Sequence, residues 1–463
     1  MSLAKYPELS LDRWAKTFGP IYTFTIGNQL FLVLSDPYMV KDILVTNGAI
    51  FSSRKDMFVK VQTILRYRGI TSTPYNEQWR KHRRLANNLL VPHSVATYSR
   101  WLEMESNDMV QGLMRDGKAG AISIDPRPYA SRVSLNAILR LVYGTRTTSL
   151  DDPTVAESLR ISRELMNTTG SVSNLVDFFP ILQKLPNRMT TRGRNLHRDI
   201  LAFNRPYIAD IEARLKRGED VADCLAKTLL LTREEEQLDD LDIEILCGAM
   251  LIGGVETTAS VLQWFMAHIA GYPDVQAKAH AELDNVCGRD RLPSVDDEQD
   301  LPYIRAIAKE VVRVHNPFWI GTPHYSTDDF SYHGYDIPKG TVIIVNSWAM
   351  HFDPVRHPDP YTFKPERYLG DNLTFAESAR LADPLHRDQW AFGAGRRMCP
   401  GMALAERQIL LGIAYILWAF DVETIPDDPV DLREYDGVAG RSPAPFRVRM
   451  TPRNEDVARI LDI

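Results

Sequence analysis

Near the start of the chain, the runs Ile21-Tyr-Thr-Phe-Thr-Ile and Leu30-Phe-Leu-Val-Leu flank Gly27-Asn28, which predicts a β-hairpin. A polar stretch around Asp12, Arg13 and Trp14 precedes it and reads as a helix. From about residue 36 to residue 316, apolar positions recur overwhelmingly at helical spacing, with Pro and Gly as punctuation. Asn316-Pro317 ends that tract, because a residue before proline is pushed out of the helical region. Strand patterns return at 330–335 and 340–347, followed by a Pro-, Asp- and Gly-rich stretch at 353–395. One further helix is predicted over 402–420, and the tail reads as short strands.

Length adds a soft expectation of about three domains for 463 residues, at roughly 150 per domain. The pattern contains no repeat, low-complexity tract or clean linker, so that expectation contracts to one large domain, mainly α with small β-sheets, over 1–463. Lys+Arg 54 against Asp+Glu 60 leaves a net charge of −6, which argues against a general nucleic-acid binder. A hydrophobic share of 44% excludes disorder as the dominant state. Four cysteines cannot staple a chain of this size and fit a reducing, cytosol-facing site. No run reaches the roughly 18 consecutive apolar residues of a membrane span; the longest, 409–420, contains Gly412.

The densest chemistry lies in Phe392-Gly393-Ala394-Gly395-Arg396-Arg397-Met398-Cys399-Pro400-Gly401. Its glycines permit tight turns, and Cys399 falls just before the predicted 402–420 helix, where free N–H groups and the dipole favour a thiolate. A lone thiolate is a poor zinc site, since zinc takes about four ligands and no CxxC or HxxxH partner accompanies it. One cysteine with an arginine two residues away suits haem: the thiolate meets iron and the cation a propionate. A buried free cysteine in a Gly-rich turn is the plain alternative. The other cysteines, Cys224, Cys247 and Cys287, have no partner spacing and read as structural.

Two further segments break local rules. Over 243–269 the chain is apolar on nearly every face, the mark of a core helix, yet it carries Gly253-Gly254-Val255-Glu256-Thr257-Thr258. Adjacent glycines inside a helix cost about 1 kcal/mol each, and a buried carboxylate is expensive. Such glycines admit a ligand to the backbone, and Glu256 with Thr257 can relay protons into a closed pocket. In the predicted helix 301–315, Glu310 and Arg313 lie three apart and can pair. Ile304, Ile307, Ala308 and Val311 centre its apolar face, so periodicity alone places that pair off the core.

The pattern Phe392, Gly395, Arg397, Cys399 and Gly401 resembles the signature of the cytochrome P-450 family of haem-thiolate monooxygenases. In that resemblance Cys399 is the ligand of haem b iron, and Phe392, Arg397 and Gly401 belong to the cofactor site. Glu310 and Arg313 become a structural pair with Arg367 as third member. Residues 253–257 resemble the oxygen-activating helix, with Gly253 in place of the commoner Ala, and with Glu256 and Thr257 as catalytic residues. Trp79 and Arg83, four apart on one helix face, become propionate donors, as does His324. The resemblance further implies a pocket lined by 57–70, 175–185, 250–257, Phe318, Trp319, Ile320 and 438–440. Those stretches are apolar and aromatic, which suits a hydrophobic, aromatic ligand.

The chain looks most like fungal microsomal members that tailor secondary metabolites. Three activities remain open: hydroxylation by an inserted oxygen atom, oxidative C–C or C–N coupling of aromatic units on the same haem, and non-catalytic haem binding or sensing. Glu256-Thr257 disfavours the last, which needs no proton relay. Electrons are expected from NADPH through a separate NADPH-cytochrome P-450 reductase, because no dinucleotide fingerprint is present. Lys81, Arg84, Arg396 and Arg407 are the candidate docking patch, on an expected monomer. Microsomal members begin with an anchor helix, whereas this chain opens near Tyr6-Pro7 after Met1-Ser2-Leu3-Ala4-Lys5. The expectation is therefore a truncated chain whose native form is tethered to the endoplasmic reticulum, facing the cytosol.

Overall fold

The hairpin forms where the pattern places it, with β1 (Ile21–Ile26) and β2 (Gln29–Leu34) pairing antiparallel across Gly27-Asn28. The turn needs glycine twice over: Gly27 has φ +60°, and a Cβ there would come within 3.1 Å of the Phe178 carbonyl. The computed structural model describes residues 3, 6–170, 175–437 and 440–463. A helix at Pro7–Phe18 precedes the hairpin, opened by a proline at its first turn.

Downstream, β3 (His324–Tyr325), β4 (Phe330–Tyr332), β5 (Tyr335–Ile337) and β6 (Val342–Val345) follow the helical tract. The main sheet has the order β1-β2-β6-β3, in which β6 runs parallel to β2 and antiparallel to β3. The stretch expected as one strand at 330–335 is instead the hairpin of β4 and β5. His333 and Gly334 turn it, both with positive φ, 49° and 82°. Leu32, Leu34 and Ile343 pack on one side of the main sheet, Phe31, Val33 and Ile344 on the other. Period-two burial thus holds the sheet between two small apolar clusters.

The helical body is built on Arg127–Tyr143, Asp240–Gly254, Glu256–Ile269, Pro302–Val314 and Met402–Ala419, whose apolar residues share one core. The last of these is buried on almost every face, so its apolar length reflects core packing. The expected single helix over 243–269 is divided at Val255, with φ −82° and ψ −65°. Two features meet at the break. A Cβ on Gly254 would stand 2.3 Å from Ile138 Cδ1, so glycine lets this helix lie against Arg127–Tyr143. The Thr257 hydroxyl donates to the Gly253 carbonyl at 2.8 Å, the back-bonding that bends helices. In the tail, Phe420–Glu423 pairs with Arg449–Pro452, and a short helix, Asp456–Ile460, was not expected.

Glu310 and Arg313 correct the periodicity reading: both are fully buried. Arg313 Nε and Nη2 donate to the two Glu310 oxygens at 2.7 and 2.8 Å, and Nη1 donates to the carbonyls of His351 and Pro360. Arg367 Nε reaches Glu310 at 3.3 Å. Hydrophobic periodicity cannot see such a pair, because the long 353–395 stretch folds over that helix face and satisfies each charge with a partner.

Candidate active site

Cys399 is placed by its own loop. Its N–H donates to the Phe392 carbonyl at 2.9 Å, and Met398 N–H to Gly395 O at 3.1 Å. Gly395 sits at φ +63°, where a Cβ would lie 2.1 Å from the Leu44 carbonyl, so no other residue fits. Phe392 packs against Phe375, with ring centroids 5.6 Å apart. Gly401 is the residue before the Met402–Ala419 helix, and its backbone N–H together with Arg83 favours the Cys399 thiolate. Burial outweighs both and holds the thiol pKa above its ordinary value. The expectation that the helix end lowers it is thereby corrected: desolvation of the charged form of this half-buried thiol is the larger effect.

Around this loop stand three arginines. Arg397 is buried, donates to the carbonyls of Ser52 (2.7 Å), Thr73 (2.7 Å) and Ile70 (3.3 Å), and lies 4.1 Å over the Trp79 ring. Arg83 donates to the Met398 carbonyl. Arg54, which no sequence motif singled out, donates to Thr71 O and Thr322 O. Trp79 Nε1 donates to Ile70 O at 3.0 Å, and His324 Nδ1 lies 2.7 Å from Phe51 O. Trp79, Arg83, His324, Arg397 and Cys399 are thus gathered into one region. Among the described residues, none of the three guanidiniums has a carboxylate partner. Burial lowers all three pKa values, Arg54 to about 9 and Arg397 to about 8, the latter helped by repulsion from Arg54 and Arg83. Burial likewise holds His324 neutral.

Buried cations without anions are expensive and call for a negative group that protein side chains do not supply. Three guanidiniums, an indole N–H and an imidazole near one thiol fit haem, with a thiolate-bound iron and two carboxylates on one edge. Gly253 agrees, since a Cβ there would meet nothing within 4 Å. The two glycines therefore divide the work: Gly253 borders open space, whereas Gly254 serves helix packing.

Glu256 is buried but not free. Its Oε1 accepts from Ser442 Oγ at 3.0 Å and lies 3.5 Å from Arg163, which also pairs with Asp436 at 2.9 Å. Ser442 and Arg163 carry no motif, and only the fold brings them to Glu256.

A cavity with an empty volume of about 650 Å³, open mouth included, adjoins Arg54. Met57, Phe178 and Phe318 line it as expected, and Met166 and Thr169 line it without having been anticipated. Trp319 departs from the expectation: it is buried in the core against Trp348, at 4.7 Å between rings. Ile320 packs with the Phe31 cluster instead. Gly440 lies near Met166, while Val438 and Ala439, like Met1, Ser2, Ala4 and Lys5, are outside the described residues. The candidate docking patch is largely self-satisfied. Arg84 pairs with Glu236 at 2.7 Å and Arg407 with Glu298 at 2.9 Å; Lys81 and Arg396 donate to neutral oxygens.

A family model described as Cytochrome P-450 matches residues 3–450. The chain is 34% identical to Cytochrome P-450 monooxygenase virE of Hypocrea virens, over 98% of this chain and 83% of the relative. It is 32% identical to Cytochrome P-450 monooxygenase fogE of Aspergillus ruber, over 98% and 84%. A solved zebrafish cytochrome P-450, crystallised with progesterone, superposes with a TM-score of 0.82 at 25% identity, covering 96% of this chain and 99% of the other.

Proposed function

The chain belongs to the cytochrome P-450 family and is an oxidoreductase of its monooxygenase type, and from that premise we propose that it hydroxylates a hydrophobic, aromatic secondary metabolite. The observation that carries the reading is that, among the described residues, Arg54, Arg83 and Arg397 near the Cys399 loop have no carboxylate partner. Cys399 would hold haem iron through Sγ, and Arg54, Arg83 and Arg397 would hold the propionates; Trp79 and His324 would join them only by turning from the Ile70 and Phe51 carbonyls they now face. Bound haem supplies activation of dioxygen by reduction. The chain supplies placement and protons: Gly253 leaves room beside the backbone, and the Thr257 hydroxyl, held by the Gly253 carbonyl at 2.8 Å, stands at the helix break. Glu256, the next carboxylate, would pass protons toward Thr257 and is oriented by Ser442 and Arg163.

Electrons would come from an NADPH-cytochrome P-450 reductase, with NADPH acting only through that partner. The native setting would be the cytosolic face of the endoplasmic reticulum membrane. An exposed apolar group at Leu175, Phe179, Ile181 and Leu185 supports contact with lipid.

The test pairs a spectrum with a product. Cys399→Ala should lose the far-shifted Soret band of the reduced carbon monoxide complex; retention of that band would overturn the ligand assignment. Turnover of aromatic candidates with reductase, NADPH and isotopically labelled dioxygen should put label into a monomeric product. An unlabelled dimeric product would replace hydroxylation by oxidative coupling.

A further inference from the structure

The cavity beside Arg54 is chemically two-sided. Phe31, Met57, Met166, Phe178 and Phe318 give it apolar and aromatic walls, yet Arg54, Lys55 and Lys60 also line it, and among the described residues no carboxylate does. Arg54 is committed to the carbonyls of Thr71 and Thr322. Lys55 donates to Gln29 Oε1 at 2.6 Å and lies 5.2 Å over the Phe178 ring. Lys60 is different: among the described residues its ammonium has no hydrogen-bond or ion-pair partner. Burial and Arg54 push its pKa down to about 8 against the opposing field of Asp177, which makes no ion pair with it.

Lys60 is also held in place. The Phe58–Ile64 turn that carries it buries Val59 and Val61 on either side, and Val59 N–H donates to Asp177 Oδ1 at 3.0 Å. The turn packs on Gly193, where a Cβ would come within 3.3 Å of Val59 and 3.2 Å of Thr63. An ammonium carried on a packed turn at the edge of an aromatic cavity suits an anion attached to an apolar body.

We propose that Lys60 binds a carboxylate on the substrate, so that the substrate class is an amphipathic acid whose apolar part occupies the cavity. This rests on the reading of the chain as a haem enzyme for a small hydrophobic substrate, and narrows it. The rival source of a carboxylate is the haem itself, whose propionates Arg54 would hold, and the experiment separates the two.

The holoenzyme is titrated with a panel of alkyl and aryl carboxylic acids, each alongside its methyl ester, and binding is followed by the Soret shift. Acids are expected to bind about tenfold tighter than their esters, the size of one charge-assisted contact. Lys60→Met should erase that preference without weakening ester binding, and Lys60→Arg should retain it. Haem transfer to apomyoglobin should proceed at the wild-type rate in both variants. An acid preference absent from the whole panel, or intact in Lys60→Met, overturns the proposal. So does faster haem loss from Lys60→Met, which would give Lys60 to a propionate. Failure of the underlying haem-thiolate reading is separate, since it would show as a missing carbon monoxide band in the wild-type protein.

Discussion

Among the described residues, Arg54 has only backbone carbonyls for partners, although a buried guanidinium ordinarily meets a carboxylate. It shares that condition with Arg83 and Arg397, and mutual repulsion deepens the need for an anion. Arg54 therefore carries a specific expectation: Arg54→Met should release haem to apomyoglobin about tenfold or more faster, the weight of one charged hydrogen bond. The carbon monoxide band of the remaining holoprotein should stay at its thiolate position. An unchanged transfer rate would remove Arg54 from the cofactor site. Nothing in the local sequence distinguishes Arg54, because its meaning comes from the Thr71 and Thr322 carbonyls, 17 and 268 positions away. Cys399 and Arg397 were legible because three glycines and fixed spacing write their loop into contiguous sequence. Arg163 and Ser442 were not, since each is an ordinary residue until tertiary packing delivers it to Glu256.

Elements were legible where period and punctuation agree and illegible where a neighbouring element decides. The β1–β2 hairpin depends only on its own alternation and on Gly27-Asn28, so it appears as expected. The glycine at 254, beside the helix break at Val255, makes room for Ile138, over a hundred residues earlier, and apolar periodicity runs through it without a mark. Glu310 and Arg313 show the same limit, their burial being imposed by the stretch containing Pro360 and Arg367. The two glycines at the break yield opposite expectations. Gly254→Ala would drive a methyl to within 2.3 Å of Ile138 Cδ1 and should destabilise the protein by about 1–3 kcal/mol in denaturant titration. Adding Ile138→Ala should recover part of that loss, because it removes the clashing atoms. Gly253→Ala meets open space and should be neutral or stabilising by up to about 1 kcal/mol. Equal destabilisation by both substitutions would contradict the division of roles.

Across the whole molecule, burial sets the response to pH. His268, His280 and His357 have pKa values pushed down to about 3, 4 and 3, and His315 and His351 are also held well below the ordinary value. Desolvation is the first cause in each case, with repulsion from arginines such as Arg313 adding to it for His268, His315, His351 and His357. The histidines lie at different joints. His268 Nε2 meets His315 Nε2 at 2.6 Å beside the Trp264 ring, His351 accepts from Trp390 N–H at 2.7 Å, and His280 faces Asp421 at 3.6 Å. Their folded pKa values lie below the unfolded value of about 6.5, so in acid the unfolded chain binds protons that the native chain refuses. Stability is then fully present above pH 6.5 and is lost as pH falls toward the folded values. Each histidine should cost about 1 kcal/mol between pH 6.5 and 5.5, a combined loss large against the usual 5–15 kcal/mol of a folded domain. Urea unfolding at pH 7 and pH 5.5, with His268→Phe as a reporter at the His268–His315 contact, checks this. The wild-type midpoint should fall steeply and that of His268→Phe less so. Equal midpoints for the wild type at the two pH values would mean that these imidazoles find protons, or water, that the packed core is here said to exclude.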